Sequence, residues 1–287
     1  MPSLKAIRKR ISSVKSTQQI TKAMKMVAAA KLRRAQTAAI EARPYAQKLE
    51  GMVAHLLQRV DADSHPLLRV PENPTRTLVL IVTSDRGLCG GYNANLTRTL
   101  EGFLVRETGE LSFYSVGRKG NEHLKRHRRI ISSTHGMPIA VDAARTAREL
   151  ARTLERLYLS GEVDRVFVLY SAFRSALSQV PTIEQLLPLQ HHDEPEGHDA
   201  GHEYLFEPDP ATIVGYLLPR LLEVRILHAL LEAGASELAA RMTAMDSATR
   251  NASEMIDRLT LQMNRARQAA ITKELMEIIG GAEALNA

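Results

Sequence analysis

Gly87, Gly90 and Gly91 follow a short apolar run and precede a helical pattern, the place in a chain where phosphate-binding loops occur. A backbone cradle for phosphate needs its glycines at fixed spacing, as in GxGxxG or GxxxxGK(S/T). Neither spacing is present, so these glycines read as a tight strand-to-helix turn that requires positive φ. Cys89, the single cysteine, has no general base near it in sequence and reads as a packed or partly exposed thiol. His191, His192, His198 and His202 are mixed with Asp193, Glu194, Glu196 and Asp199, a composition that resembles a metal-binding tract. Their spacing matches no defined ligand set, and the stretch reads as a solvated loop. His228 stands alone among apolar residues, as a packed polar break. Residues 117–129, GRKGNEHLKRHRR, are basic but contain no Phe, Tyr or Trp on which bases stack. Paired carboxylates, a nucleophile–base–acid set and a metal-ligand set are all missing from the pattern. The expectation is therefore no catalytic, cofactor or metal site in this chain.

The elements that carry these residues are dominated by two long repeats. Val214, Leu217, Leu221, Val224, His228, Leu231, Ala235, Leu238, Met242, Met245, Thr249, Ala252, Ile256, Leu259, Met263, Ala266 and Ala270 recur at alternating three- and four-residue steps. Leu4, Ile7, Ile11, Val14, Gln18, Thr21, Lys25, Ala28, Leu32, Ala35, Ala39, Ala42, Ala46, Leu49, Val53, Leu56 and Val60 step identically. A 3.5-residue period held this long is a coiled-coil seam. Two such seams of roughly 85 Å each, at opposite ends of one chain, predict a single antiparallel hairpin of long helices. Full pairing would set Leu4 against Ala270 and Val60 against Val214, and small seam residues permit a stagger. Residues from about Ile271 onward then project as a single helix. Pro44 predicts a kink within the first helix, because it removes a backbone bond.

Between the helices lies a different pattern. Residues 77–84, 111–116 and 165–170 are short β-branched or aromatic runs separated by helical segments, and 180–189 is a weaker fourth run interrupted by Pro181. Strands alternating with helices predict a small, mostly parallel α/β sheet, Rossmann-like in order. The organisation expected is a coiled-coil helix over 1–60, a proline-containing linker over 61–75, an inserted α/β domain over 76–206, and a second coiled-coil helix over 207–287. The fold class is α/β plus a long antiparallel α-helical coiled coil.

Composition agrees with helix packing. Of the 287 residues, 44% are hydrophobic but only 4% aromatic, with no Trp, so Ala, Leu and Met carry the core. One cysteine permits no intramolecular disulfide, which suits a reducing compartment. No apolar run reaches the roughly 18 residues that a membrane span needs, and 1–13 lack the apolar segment of a secretory signal. A coiled-coil register beginning at Leu4 leaves no room for a removable leader. The net charge of +6 is uneven: 1–43 hold eleven Lys and Arg against Glu41 alone. Without carboxylates four residues away, these cations call for an acidic partner. Nucleic acid, a membrane surface or an acidic protein would each qualify, and a basic coiled-coil nucleic-acid-binding protein is the alternative reading.

Residues 3–36 (SLKAIRKRISSVKSTQQITKAMKMVAAAKLRRAQ) resemble the N-terminal signature of the gamma subunit of the bacterial F-type ATP synthase. Residues 82–93 (VTSDRGLCGGYN) are similar to the central motif of that family, and 236–285 to its C-terminal signature. The three motifs occur in family order across the whole chain. The resemblance implies a central stalk, or rotor shaft, for ATP synthesis coupled to proton or other ion transport. In it, ion-driven rotation of the membrane c ring is coupled to conformational change in the catalytic beta subunits. It implies a subunit without a catalytic site of its own and without cofactors, in one copy per complex. The implied partners are the alpha and beta subunits of the head, the epsilon subunit and the c ring, with no nucleic acid. The implied location is peripheral, on the cytoplasmic face of the bacterial inner membrane. By position in the family motifs, Met24, Lys25, Arg241, Arg267 and Gln268 are implied contacts with a beta subunit. Tyr204 and Glu207 are implied contacts of the foot with the c ring.

Overall fold

A computed structural model describes residues 3–58, 60, 65–189, 207 and 209–286. Helix α1 spans Leu4–Leu57 and helix α5 spans Pro210–Asn286. Between them come strand β1 (Arg76–Val82), helix α2 (Tyr92–Leu104), strand β2 (Glu110–Val116), helix α3 (Arg118–Arg126) and strand β3 (Ile131–His135). Helix α4 (Ala140–Leu159) and strands β4 (Arg165–Phe173) and β5 (Gln179–Leu187) follow. The chain divides into two units, one of residues 1–27 with 242–287 and the other of 28–241.

In both units the buried side chains of α1 all lie on the predicted seam. In the larger unit they are Ala28, Leu32, Ala35, Ala39, Ala46, Leu49, Val53 and Leu56; in the smaller they are Ile7 and Thr21. The two helices run antiparallel, as cross-links in each unit define. In the larger unit Arg43 Nη2 is 3.4 Å from Glu232 Oε1, and Arg225 Nε is 3.5 Å from Glu50 Oε1. These pairs fall one residue from the full-pairing register, which sets 43 against 231 and 50 against 224. In the smaller unit Lys25 Nζ pairs with Asp246 Oδ1 at 2.5 Å, and Thr249 Oγ1 donates to Thr21 Oγ1 at 2.8 Å. Here the expected partners, 249 and 253, are displaced by about one turn. Seam residues such as Ala252 and the two threonines specify register weakly, so the ion pair and the hydroxyl pair select it. Helix α1 continues through Pro44, as one helix, and α5 through Pro219.

The sheet has strand order β3-β2-β1-β4-β5. β1, β2, β3 and β4 are mutually parallel, and β5 pairs antiparallel to β4. β1 lies at the centre and is buried on both faces, which explains its unbroken apolar run. One face packs Leu78, Leu80, Val82, Tyr114, Val166 and Val168 on α4 and α5. The other packs Val79, Ile81, Phe113 and Leu169 on α2 and on Leu124 of α3.

Candidate functional site

In a doubly wound sheet, ligands bind beyond the carboxyl ends of the strands, in the crevice where strand order reverses. In this order the crevice lies between β1 and β4, and the glycine-bearing turn 83–91 forms its rim. The turn is built as expected from positive φ at Gly90 (56°), and also from Leu88 (64°), a residue whose side chain makes that conformation costly. The turn is self-satisfied. Asn93 Oδ1 accepts from the Ser84 amide at 3.2 Å, and Asn93 Nδ2 donates to Ser84 Oγ at 2.7 Å. Asp85 accepts from the Arg118 amide at 3.0 Å and from the Met137 amide at 3.1 Å. A carboxylate thus occupies the amide at the start of α3, where a phosphate would otherwise be drawn by the helix dipole. Cys89 is buried, 3.2 Å from Asn93 Nδ2, as a packed thiol.

The crevice itself is filled by α5. Tyr92 Oη donates to Ala233 O at 3.2 Å, and Ser236 Oγ donates to Ser171 O at 2.8 Å. The Phe173 amide, at the end of β4, donates to Glu232 Oε2 at 2.7 Å. Arg241 Nη2 donates to Arg86 O at 3.4 Å and Gly87 O at 3.3 Å, and pairs with Glu237 Oε1 at 2.5 Å. Burial pushes the Glu237 carboxyl up, against the opposing pull of Arg241, and complete burial pushes the Tyr92 hydroxyl well up. These contacts join polar atoms of α5 to the end of β4, to the turn and to the start of α2. The arrangement anchors a helix firmly and leaves its small residues Ala233 and Ala240 packed with the strands.

This second buried face of α5 was not part of the seam expected from sequence. Leu218, Leu222, Ile226, Ala229, Leu230, Ala233 and Ser236 are buried beside the seam residues. Its signal was available: over this stretch the helix is apolar nearly all round, which marks a helix enclosed on more than one side. Strand β3 was also missed. Its sequence, ISSTH, contains one apolar residue, and its alternating half-buried pattern suits an edge.

The sequence-predicted contact residues are distributed as follows. Met24 and Lys25 are half-buried on α1, and Lys25 is committed to Asp246, which also pairs with Arg250 Nη1 at 3.1 Å. Part of the basic segment therefore finds acidic partners within the chain, through Lys25 and Arg43. Lys5, Arg8, Lys9, Arg10, Lys15, Lys22, Arg33 and Arg34 form no ion pair among the described residues. Arg241 is largely enclosed by the turn and Glu237. Arg267 and Gln268 are exposed on α5, and every residue of 271–279 is exposed, as a single projecting helix requires. Glu207 is exposed; Tyr204 and the histidine-bearing stretch 190–202 lie outside the described residues. His228 is half-exposed, edge-on to Tyr170 with ring centroids 6.4 Å apart and 3.6 Å from Glu232, a polar break in the packing as expected.

The protein is thus of the class in which an antiparallel pair of long helices carries an inserted, mostly parallel α/β sheet, here with one of those helices seated in the sheet's crevice. The sequence profile of the family described as ATP synthase matches residues 3–285. The chain is 53% identical over 291 residues to the ATP synthase gamma chain of Geotalea daltonii, covering 99% of each. It is 49% identical over 294 residues to that of Chlorobaculum tepidum, again with 99% of each covered. Among solved structures, it is similar to a chain of the Tetrahymena thermophila mitochondrial ATP synthase, central stalk and c ring. That match has a TM-score of 0.59 and 26% identity, covering 80% of this chain and 99% of that one. A chain of the Euglena gracilis mitochondrial ATP synthase shares the fold with a TM-score of 0.68 at 21% identity, covering 98% and 94%. This chain belongs to the ATP synthase gamma chain family. These relatives do not support the nucleic-acid-binding alternative. No helix among the described residues is long and apolar enough to cross a membrane.

Proposed function

We propose that this chain is the central-stalk shaft of an F-type ATP synthase, and that it does no chemistry itself. The observation that carries this reading is α5, which at one end fills the crevice of the sheet and at the other pairs with α1. One continuous helix therefore belongs both to the α/β domain and to the coiled coil. Rotation imposed on the α/β domain, as a foot over 76–206 seated on the c ring with the epsilon subunit, is carried into the coiled coil. The hydrogen bond that Glu232 accepts and those that Ser236 and Arg241 donate resist slippage where torque enters the helix. One asymmetric shaft inside the alternating ring of alpha and beta subunits contacts each beta subunit differently, and differential contact shifts each site among its conformations.

Met24, Lys25, Arg241, Arg267 and Gln268 are the proposed beta-subunit contacts, with Tyr204 and Glu207 on the c ring. Lys25 and Arg241 already hold internal carboxylates, so each offers a partner a residual positive field in place of a free cation. Met24 adds a flexible apolar side chain able to slide past an acidic loop. The proposed location is peripheral, at the cytoplasmic face of a bacterial inner membrane, with one copy per complex. The test is reconstitution. Membrane vesicles whose synthase is assembled with this chain should couple ATP hydrolysis to ion pumping, and vesicles assembled without it should not. Pumping that persists without the chain, or nucleotide turnover by the purified chain alone, refutes the assignment.

A further inference from the structure

Helices α2 and α3 lie against the same face of the sheet, and three ligating side chains converge where they meet. His123 and the helix-capping His127 are four residues apart, the spacing that sets two imidazoles on one helix face, and their ring centroids are 4.4 Å apart. Glu101 reaches across from α2, with Oε1 2.9 Å from His123 Nε2. One ligand atom from each of the three lies within 4.8 Å of the others. We propose that Glu101, His123 and His127 form a binding site for a divalent transition-metal ion of the zinc class.

The donor set is two imidazole nitrogens and one carboxylate oxygen, which suits zinc, cobalt, nickel or copper better than calcium or magnesium. Tetrahedral coordination with bonds of about 2.0–2.1 Å places ligand atoms roughly 3.3 Å apart, so closure from separations within 4.8 Å asks the side-chain ends to approach by about 1.5 Å at most. Glu101 and His123 are half-buried while His127 is exposed, which leaves the fourth position open to water. Arg129 Nη2 holds the other carboxylate oxygen, Oε2, at 3.2 Å. That bond fixes the carboxylate, the part an outer-shell donor plays in metal sites, and an ion entering between Oε1 and His123 Nε2 replaces the hydrogen bond that now joins them. The site also sits at the carboxyl end of α3, where the helix dipole favours a cation. Arg129 and the neighbouring Lys125, Arg126 and Arg128 repel a divalent ion, so binding is reversible rather than permanent. When filled, the site ties α2 to α3 across the outer face of the sheet. The sequence reading passed over it because two of the ligands lie within a run of cations and the third is on another helix.

The histidines at 191, 192, 198 and 202 offer a competing set, so the test uses the full chain with these four replaced by Asn. Zinc is titrated by calorimetry, and cobalt by visible absorption. One ion per chain is expected, with the intense absorption of a low-symmetry, four- or five-coordinate cobalt site. Affinity should fall by about tenfold or more in Glu101→Gln and in each of His123→Ala and His127→Ala. His127 is exposed and caps a helix through its backbone, so His127→Ala keeps the fold and decides the matter if His123→Ala unfolds the domain. Absence of binding overturns the proposal, and so does affinity unchanged in His127→Ala.

Discussion

Glu232 is the carboxylate on which the seating of α5 turns, and removing it gives a calculable loss. Its side chain is 5% exposed. Oε2 accepts the amide of Phe173 at 2.7 Å, and Oε1 lies 3.4 Å from Arg43 and 3.6 Å from His228. A buried hydrogen bond to a charged group contributes about 1.5–3 kcal/mol, much of it as the penalty for leaving the amide unpaired. The Arg43 side chain is half-exposed, which limits that ion pair to about 1 kcal/mol or less. Glu232→Ala should therefore destabilise the larger unit by about 2–4 kcal/mol. Glu232→Gln keeps an acceptor for the Phe173 amide and should lose about 1 kcal/mol. Urea denaturation of the full chain, followed by far-ultraviolet circular dichroism, measures both. A loss below about 0.5 kcal/mol in Glu232→Ala, or equal losses in the two variants, would refute the claim that this bond fastens the helix to β4.

Three other outcomes are expected. Asp164 accepts the Arg76 guanidinium at 2.7 Å and, secondarily, the amides of Arg76 and Thr75, which together hold its carboxyl at about 2, below the ordinary 3.8. Because the folded value is depressed, its contribution is complete above the ordinary value and disappears as pH falls toward 2. Parent and Asp164→Asn should then differ by about 1–2 kcal/mol near neutrality and converge in acid, after allowance for the half-exposed guanidinium; a constant gap in denaturation free energy across that range would contradict this. Gly117 has φ 93°, and a Cβ there would overlap Thr83 O, so Gly117→Ala should cost about 3 kcal/mol or more of unfolding free energy in urea denaturation. Met24→Lys should leave assembly intact but deepen one rotary position by about 0.2–1 kcal/mol or more, lowering the ions pumped per ATP and steepening the temperature dependence of hydrolysis; equal coupling in the same vesicles counts against the sliding contact.

The long helices were legible because a 3.5-residue repeat is a statement about one face, and every buried residue of α1 lies on it. Register was less so: in the smaller unit, small and polar seam residues left the choice to Lys25–Asp246 and Thr21–Thr249, pairs that no periodicity encodes. The central strands announced themselves as apolar runs, since parallel strands covered on both faces need them. The edges did not. β3 needs few apolar residues, and β5 tolerates Pro181 because an edge strand can spare an amide. The glycine turn was read correctly as a turn without a phosphate pattern. What fills the crevice behind it depends on Tyr92, Ser236 and Glu232, residues joined only when the chain's end returns to its middle.

A helix seated in a ligand crevice is, thermodynamically, a ligand on a tether. A small molecule shaped for that crevice meets a resident competitor that never diffuses away, at an effective concentration set by the chain itself. Its apparent affinity is its intrinsic affinity multiplied by the fraction of time the helix is lifted. If the Glu232 contact alone holds the helix down by about 2–4 kcal/mol, a compound loses roughly thirtyfold to nearly a thousandfold in apparent affinity before its own contacts count. Nucleotide mimics that select open sheets of this order should therefore pass this one by, and compounds that do engage it should act by prising the shaft from its seat.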